Sequence, residues 1–148
     1  MNSEKAKKAA ELFKKGYNCS QSVLGVWCEE LGLDFKTAMK LSQTFGGGMG
    51  RMREVCGACT GAFMVLGLKY GTFDPTNMKV KTDVYTIVQK FAQRFKEENG
   101  FDSIICRELL GLDGASKPKP AARTGEYYKK RPCVELVALS AGLLDEFM

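Results

Sequence analysis

Apolar positions recur at helical spacing along the chain, and glycine punctuates almost every run. The first run, Ala6, Ala9, Ala10 and Phe13, follows Ser3, a good N-cap, and stops at Gly16, where a left-handed residue closes a helix. Asn18 with Gln21 three residues on is a capping-box pattern, and it predicts a helix through Val23, Leu24, Trp27 and Leu31 up to Gly32. Asp34 caps a third helix, Phe35 to Phe45, followed by Gly46-Gly47-Gly48-Met49-Gly50. The stretch from about 51 to 70 is apolar nearly all round, which predicts a buried central helix ended by Gly71. Asp74-Pro75 predicts the start of a long amphipathic helix through Val80, Val84, Ile87, Val88, Phe91 and Phe95 to Gly100. Asp102 predicts the cap of a short helix with Ile104, Ile105, Cys106, Leu109 and Leu110, residues 114–123 read as a loop, and Pro132 opens a last helix. No stretch alternates as a strand does. The fold class is therefore all-α: one domain over 1–148, a bundle of about six or seven helices around the central helix at about 51–70.

A length of 148 residues suits one domain, and 45% hydrophobic with 26% charged residues excludes a disordered or collagen-like chain. The complete lack of histidine changes the picture more. One such chain cannot build Ser-His-Asp or Cys-His catalysis, a His-ligated zinc or a His-ligated haem. Six cysteines remain as the unusual chemistry. The opening MNSEKAKKAAELFKKG has no apolar core of a signal peptide. The most apolar stretch, 55–68, is shorter than the ~18 residues of a membrane span. A cytoplasmic protein with no membrane span is expected, in which ligation or redox chemistry is a better use of cysteine than disulfides.

Three cysteines fall at helix starts: Cys19 after the cap Asn18, Cys133 after Pro132, and Cys106 early in its short helix. Free N–H groups and the helix dipole stabilise a thiolate there, and Arg53, Arg107 and Arg131, close in sequence to Cys56, Cys106 and Cys133, are expected to push the same way. Cys56-Gly57-Ala58-Cys59 is a C-x-x-C, a spacing shared by zinc, iron–sulfur and dithiol sites. It lies within the apolar stretch and lacks a βαβ setting, so Cys59 reads as a core residue beside a functional Cys56. Gly57 and Gly61, four apart, admit another backbone close to the thiol.

The pattern Gly16-Tyr17-Asn18-Cys19-Ser20-Gln21-Ser22-Val23-Leu24, then Gly46-Gly47-Gly48 with Gly50, then Cys56-Gly57-Ala58-Cys59-Thr60-Gly61, then Cys106 and Cys133, resembles the C_GCAxxG_C_C family over nearly the whole chain. Members of that family are described as redox-active proteins of about this size. The resemblance implies that Cys19, Cys56, Cys106 and Cys133 match the family's four cysteines, with Cys28 and Cys59 as additions. It also implies a helical fold similar to part of split-Soret cytochrome c, a haem protein in which an iron–sulfur centre has been proposed. Haem does not carry over, because the chain has neither C-x-x-C-H nor histidine.

The leading expectation is an electron-transfer protein in which those four thiolates hold an iron–sulfur cluster, such as [2Fe–2S], or another thiolate-bound metal, with Cys59 as a candidate further ligand. A second is a metal-free dithiol oxidoreductase using Cys56 and Cys19 as the catalytic pair. A third is a structural zinc site or a plain helical binding module. The glycine run lacks the strand and the Gly-Lys-Ser/Thr of a phosphate loop, and reads instead as a linker or as backbone wrapped round a cofactor that Arg51 and Arg53 would face. The net charge of +5 is mostly solvated lysine, although Lys129-Lys130-Arg131 beside Cys133 suits an acidic redox partner. Tyr127-Tyr128 is too little for nucleic-acid binding, so none is expected, and a homo-oligomer is left open.

Overall fold

The computed structural model describes residues 3–148, so the first two residues of the expected domain lie outside the described ones. The fold is all-helical, and among the described residues the only β pairing is a single antiparallel bridge between Val55 and Ile105. Helix α1 (Glu4–Lys14) starts where the Ser3 hydroxyl accepts the Ala6 N–H, and it buries Ala6, Ala9 and Phe13. Helix α2 (Cys19–Trp27) carries the expected capping box. Asn18 Oδ1 accepts the Gln21 N–H and Gln21 Oε1 accepts the Asn18 N–H, both at 2.9 Å. A 3₁₀ turn, Glu29–Leu31, follows and ends at Gly32. Helix α3 (Phe35–Gln43) is capped by Asp34 as expected and ends slightly short of Phe45.

Helix α5 (Gly57–Tyr70) is the buried centre, packed against α2, α6 (Met78–Glu98) and α9 (Cys133–Leu143), while α1 lies across α2 and α9. Gly61 permits the α2 contact: a Cβ there would sit 2.7 Å from the Ser20 carbonyl oxygen. Ser140 Oγ donates to the Ala58 carbonyl at 2.6 Å and Trp27 Nε1 to that of Ala141 at 3.1 Å, so α9 is tied to both neighbours. Phe91 and Phe95, the fully buried residues of α6, close the core, with Ile87 and Val88 half-buried beside them.

Four helix starts differ from the sequence expectation. The central helix begins at Gly57, not near 51, because Arg51 and Arg53 take left-handed φ of 63° and 61° and Val55 is held in the bridge to Ile105. Helix α6 is capped by Asn77 rather than Asp74, whose carboxylate instead closes a local turn by accepting the Thr76 N–H. Helix α7 (Cys106–Leu110) starts at Cys106 because Asp102 is left-handed (φ 52°) and cannot act as an extended N-cap. Helix α8 (Gly125–Lys130), capped by Thr124, was not expected; it is short and buries no residue, so it leaves no apolar stripe in the sequence.

Candidate functional site

These revised boundaries place every candidate thiol at the beginning of a helix. Cys19, Cys106 and Cys133 are the first residues of α2, α7 and α9, and Cys56 is the N-cap residue of α5. All four line one cavity of about 450 Å³, so four positive helix ends from distant parts of the chain meet there. All six cysteines are free thiols. Cys28 and Cys59 are fully buried and do not line the cavity; Cys28 Sγ faces the Gly25 carbonyl and Cys59 belongs to the core of α5.

Close backbone contacts fix the thiols. Around the Val55–Ile105 bridge, the Cys56 N–H donates to the Ile104 carbonyl at 2.7 Å and the Cys106 N–H to that of Glu54 at 2.6 Å, so α5 and α7 start side by side. Gly57 lets α2 approach α5: a Cβ on it would stand 2.9 Å from the Cys19 Cβ. Gly48 does the same for α7, since a Cβ there would lie 2.6 Å from the Cys106 Cβ and 2.7 Å from the Arg53 Cα.

The glycine run is neither a linker nor a phosphate loop but an ordered turn of the opposite hand. In α4 (Gly46–Met49) and just beyond it, Gly47, Gly48, Met49, Gly50 and Arg51 have consecutive φ values of 67°, 68°, 67°, 60° and 63°. The carbonyls of Gly46, Gly47 and Gly48 accept the N–H groups of Arg51, Arg53 and Glu54 at 3.3, 3.2 and 2.9 Å. Glycine takes this conformation without penalty. Met49, Arg51 and Arg53 do not, at about 1–2 kcal/mol each. The strain sits at the cavity wall, where such backbone is characteristically found.

Arg51, Arg53, Arg123 and Arg131 also line the cavity, and among the described residues no carboxylate does. Arg53 is buried; its Nε donates to Ser116 Oγ at 2.9 Å and its Nη1 to Cys106 Sγ at 3.5 Å. Arg51 Nε donates to the Lys117 carbonyl at 2.7 Å, so the two arginines fasten the 114–123 loop over the cavity. Arg123 ties that loop to the first helices by donating to the carbonyls of Phe13 and Tyr17, and its guanidinium stacks on the Phe13 ring 4.0 Å from the centroid. Nothing around this lone arginine marks it in the sequence. Arg107, expected to act on Cys106, instead turns to Glu54 at 2.9 Å.

Charge on the sulfurs departs from the expectation of four thiolates. Burial pushes Cys56 up to about 12. Burial also raises Cys106, against the opposing pull of Arg53. Interaction between the two neighbouring thiols raises Cys19 and lowers Cys133. Arg131, Arg53 and Arg123 lower Cys133 further, so it is the one thiolate-prone member. At Cys56 and Cys106 desolvation outweighs the backbone N–H groups and the arginine that pull the other way.

The Tyr127-Tyr128 pair is taken up in packing. Arg131 covers Tyr127 4.9 Å from the ring centroid, and Tyr128 meets Phe13 edge-on. Lys130 pairs with Glu126 at 2.7 Å, which leaves the expected basic run divided between solvent and cavity. Among the described residues no helix is long and apolar enough to cross a membrane. Compared with known proteins, residues 17–147 match the family model described as Putative redox-active protein (C_GCAxxG_C_C). No curated protein and no solved structure matches the chain.

Proposed function

The chain belongs to the C_GCAxxG_C_C family, and from that premise we propose that Cys19, Cys56, Cys106 and Cys133 together hold an iron–sulfur cluster and that the protein transfers electrons through it. The observation that carries this reading is the convergence of four cysteine-bearing helix starts on one cavity lined by four arginines and no carboxylate. Such surroundings favour a group of net negative charge, which a thiolate-ligated cluster is, over a bare cation. Among the described residues no group of three or more Cys, Asp or Glu side chains stands ready to hold a metal ion, so either a cluster or a zinc would have to draw the thiols together.

The cluster would supply one-electron chemistry. The chain's own residues do the rest. Cys133 offers the first thiolate, and the other three thiols release protons on ligation. Arg53 donates to the Cys106 sulfur, a bond that tunes potential when the sulfur is a ligand. The left-handed turn and the 114–123 loop wall the site. Exposed Lys129, beside the Lys130–Glu126 pair, suits an acidic redox partner.

Protein purified without oxygen should contain iron and inorganic sulfide with visible thiolate-to-iron absorption. Absence of both after anaerobic reconstitution would overturn the reading. A thiolate-prone Cys133 lining the same cavity as a proton-holding Cys19 favours one second reading, a metal-free dithiol. There the Cys133 thiolate attacks a substrate disulfide and releases one thiolate, which takes the Cys19 proton; the Cys19 thiolate then attacks the Cys133 sulfur, releasing the second and leaving a Cys19–Cys133 disulfide. In that reading Cys133 replaces Cys56 as the attacking sulfur, since Cys56 is held protonated. Disulfide reduction by iron-free and zinc-free protein would select it.

A further inference from the structure

Arg53 is only 2% exposed, yet its guanidinium is incompletely used. Nε serves Ser116 and Nη1 serves Cys106, whereas Nη2 is buried with no hydrogen-bond partner. A charged donor stripped of water and left without an acceptor is costly, so its retention at a cavity wall marks a place for an acceptor to arrive. Arg51, Arg123 and Arg131 line the same cavity, and among the described residues neither Asp, Glu nor Lys does. Four guanidinium groups grouped without a carboxylate repel one another, and a single Cys133 thiolate offsets only part of that charge. Arg51 is anchored through Nε, which leaves its Nη ends for a forked contact with oxygen, whereas Arg53, held through Nε and Nη1, offers Nη2.

The volume, about 450 Å³, falls in the range of small-molecule sites. Exposed Pro118 and Pro120 line it too, so the cavity has a rim at the surface. The lining also narrows the ligand class. No carboxylate lines the cavity to hold a ribose hydroxyl, and at the Tyr127 ring a stacking base would compete with Arg131 at 4.9 Å and Arg123 at 5.8 Å.

We propose that the arginine wall of this cavity binds a small oxyanion of the phosphate or sulfate class beside the thiols, with Arg53 Nη2 as its buried anchor. The site goes beyond the cluster reading and stands without it, because the unpartnered nitrogen and the arginine lining are properties of the chain alone.

The test is calorimetric titration of the full chain with millimolar sulfate and inorganic phosphate at matched ionic strength, in metal-free and anaerobically reconstituted forms, with chloride as control. Saturable single-site binding of either oxyanion is expected, weakened at least tenfold in Arg131→Gln and lost in Arg53→Met. If Arg53→Met fails to fold by circular dichroism, Arg131→Gln decides. No saturable heat in the wild type, or affinity unchanged in Arg131→Gln, would overturn the proposal. Iron content measured on the same samples keeps the two readings apart: oxyanion binding by a chain that takes up no iron supports this site and removes the cluster, whereas iron uptake without oxyanion binding does the reverse.

Discussion

Val55 and Ile105 pair as an isolated antiparallel bridge, and each is followed directly by a cysteine of the cavity. Two backbone bonds, from Cys56 to Ile104 and from Cys106 to Glu54, therefore set the relation of those thiols without any side chain. Backbone register is insensitive to a thiol-to-hydroxyl exchange, which makes serine substitution a clean test of ligation here.

Cys19→Ser, Cys56→Ser, Cys106→Ser and Cys133→Ser should each lower iron content several-fold while helicity largely persists. Cys59→Ser should keep the iron but cost on the order of 1–3 kcal/mol of stability, because a hydroxyl replaces a fully buried thiol in the core of α5. Iron and circular dichroism measured on one panel check both. Loss of iron in Cys59→Ser with none lost in Cys106→Ser would make Cys56 and Cys59 the working pair instead.

Gly48→Ala should disrupt the site more than the fold. The added methyl meets the Cys106 Cβ and the Arg53 backbone at under 3 Å and also sits at φ 68°, so a cost above about 2 kcal/mol is expected. Gly32→Ala, left-handed but with open space around it, supplies the strain without the collision. Iron content should fall in the first and hold in the second; an equal loss in both would refute the role given to the close approach at Gly48.

Alkaline pH should destabilise the metal-free protein. Cys56 keeps its proton in the folded chain up to about 12, whereas the unfolded chain gives it up near the ordinary 9.0. Its contribution is thus complete below pH 9 and lost as pH rises toward 12, at most about 4 kcal/mol. Burial raises Cys59 as well, so Cys56→Ala should flatten the fall rather than abolish it. Urea denaturation at successive pH values reads the slope, and identical slopes in the two proteins would rule out this assignment.

Iodoacetamide should label Cys133 first in metal-free protein, at a pH below that of an ordinary thiol, since the Cys19 thiol and three arginines stabilise its anion. Cys19→Ala should move that labelling to higher pH, and Cys19→Ser, which keeps a donor, should restore much of it. Mass spectrometry of the labelled peptides follows both. Faster labelling of Cys56 than of Cys133 would show the charge assignment to be wrong.

Much of this architecture is legible in the chain. The capping box at Asn18 and Gln21, the cap at Asp34 and the Gly57/Gly61 contact depend on residues a few positions apart, and these emerge as read. What the chain does not disclose locally is longer-ranged. The delayed start of α5 depends on a bridge partner, Ile105, fifty residues on, and the left-handed α4 turn on a crowd of neighbours around Gly48. The pH behaviour of Cys56 follows from burial that no motif encodes, and Arg123 enters the cavity only because a loop without periodicity is fastened across it.

The four helix starts also bear on how the molecule assembles. Cys19, Cys56, Cys106 and Cys133 divide the chain into long segments, so a group bonded to all four is a covalent cross-link at a single node that closes three large loops at once. Its effect falls chiefly on the unfolded ensemble, whose freedom it removes, as a disulfide network does in small secreted domains. Loading the site would then slow global opening of α1 and α9, which lie far from one another in sequence yet pack together, so the occupied protein should resist proteolysis along its whole length and not only at the cavity.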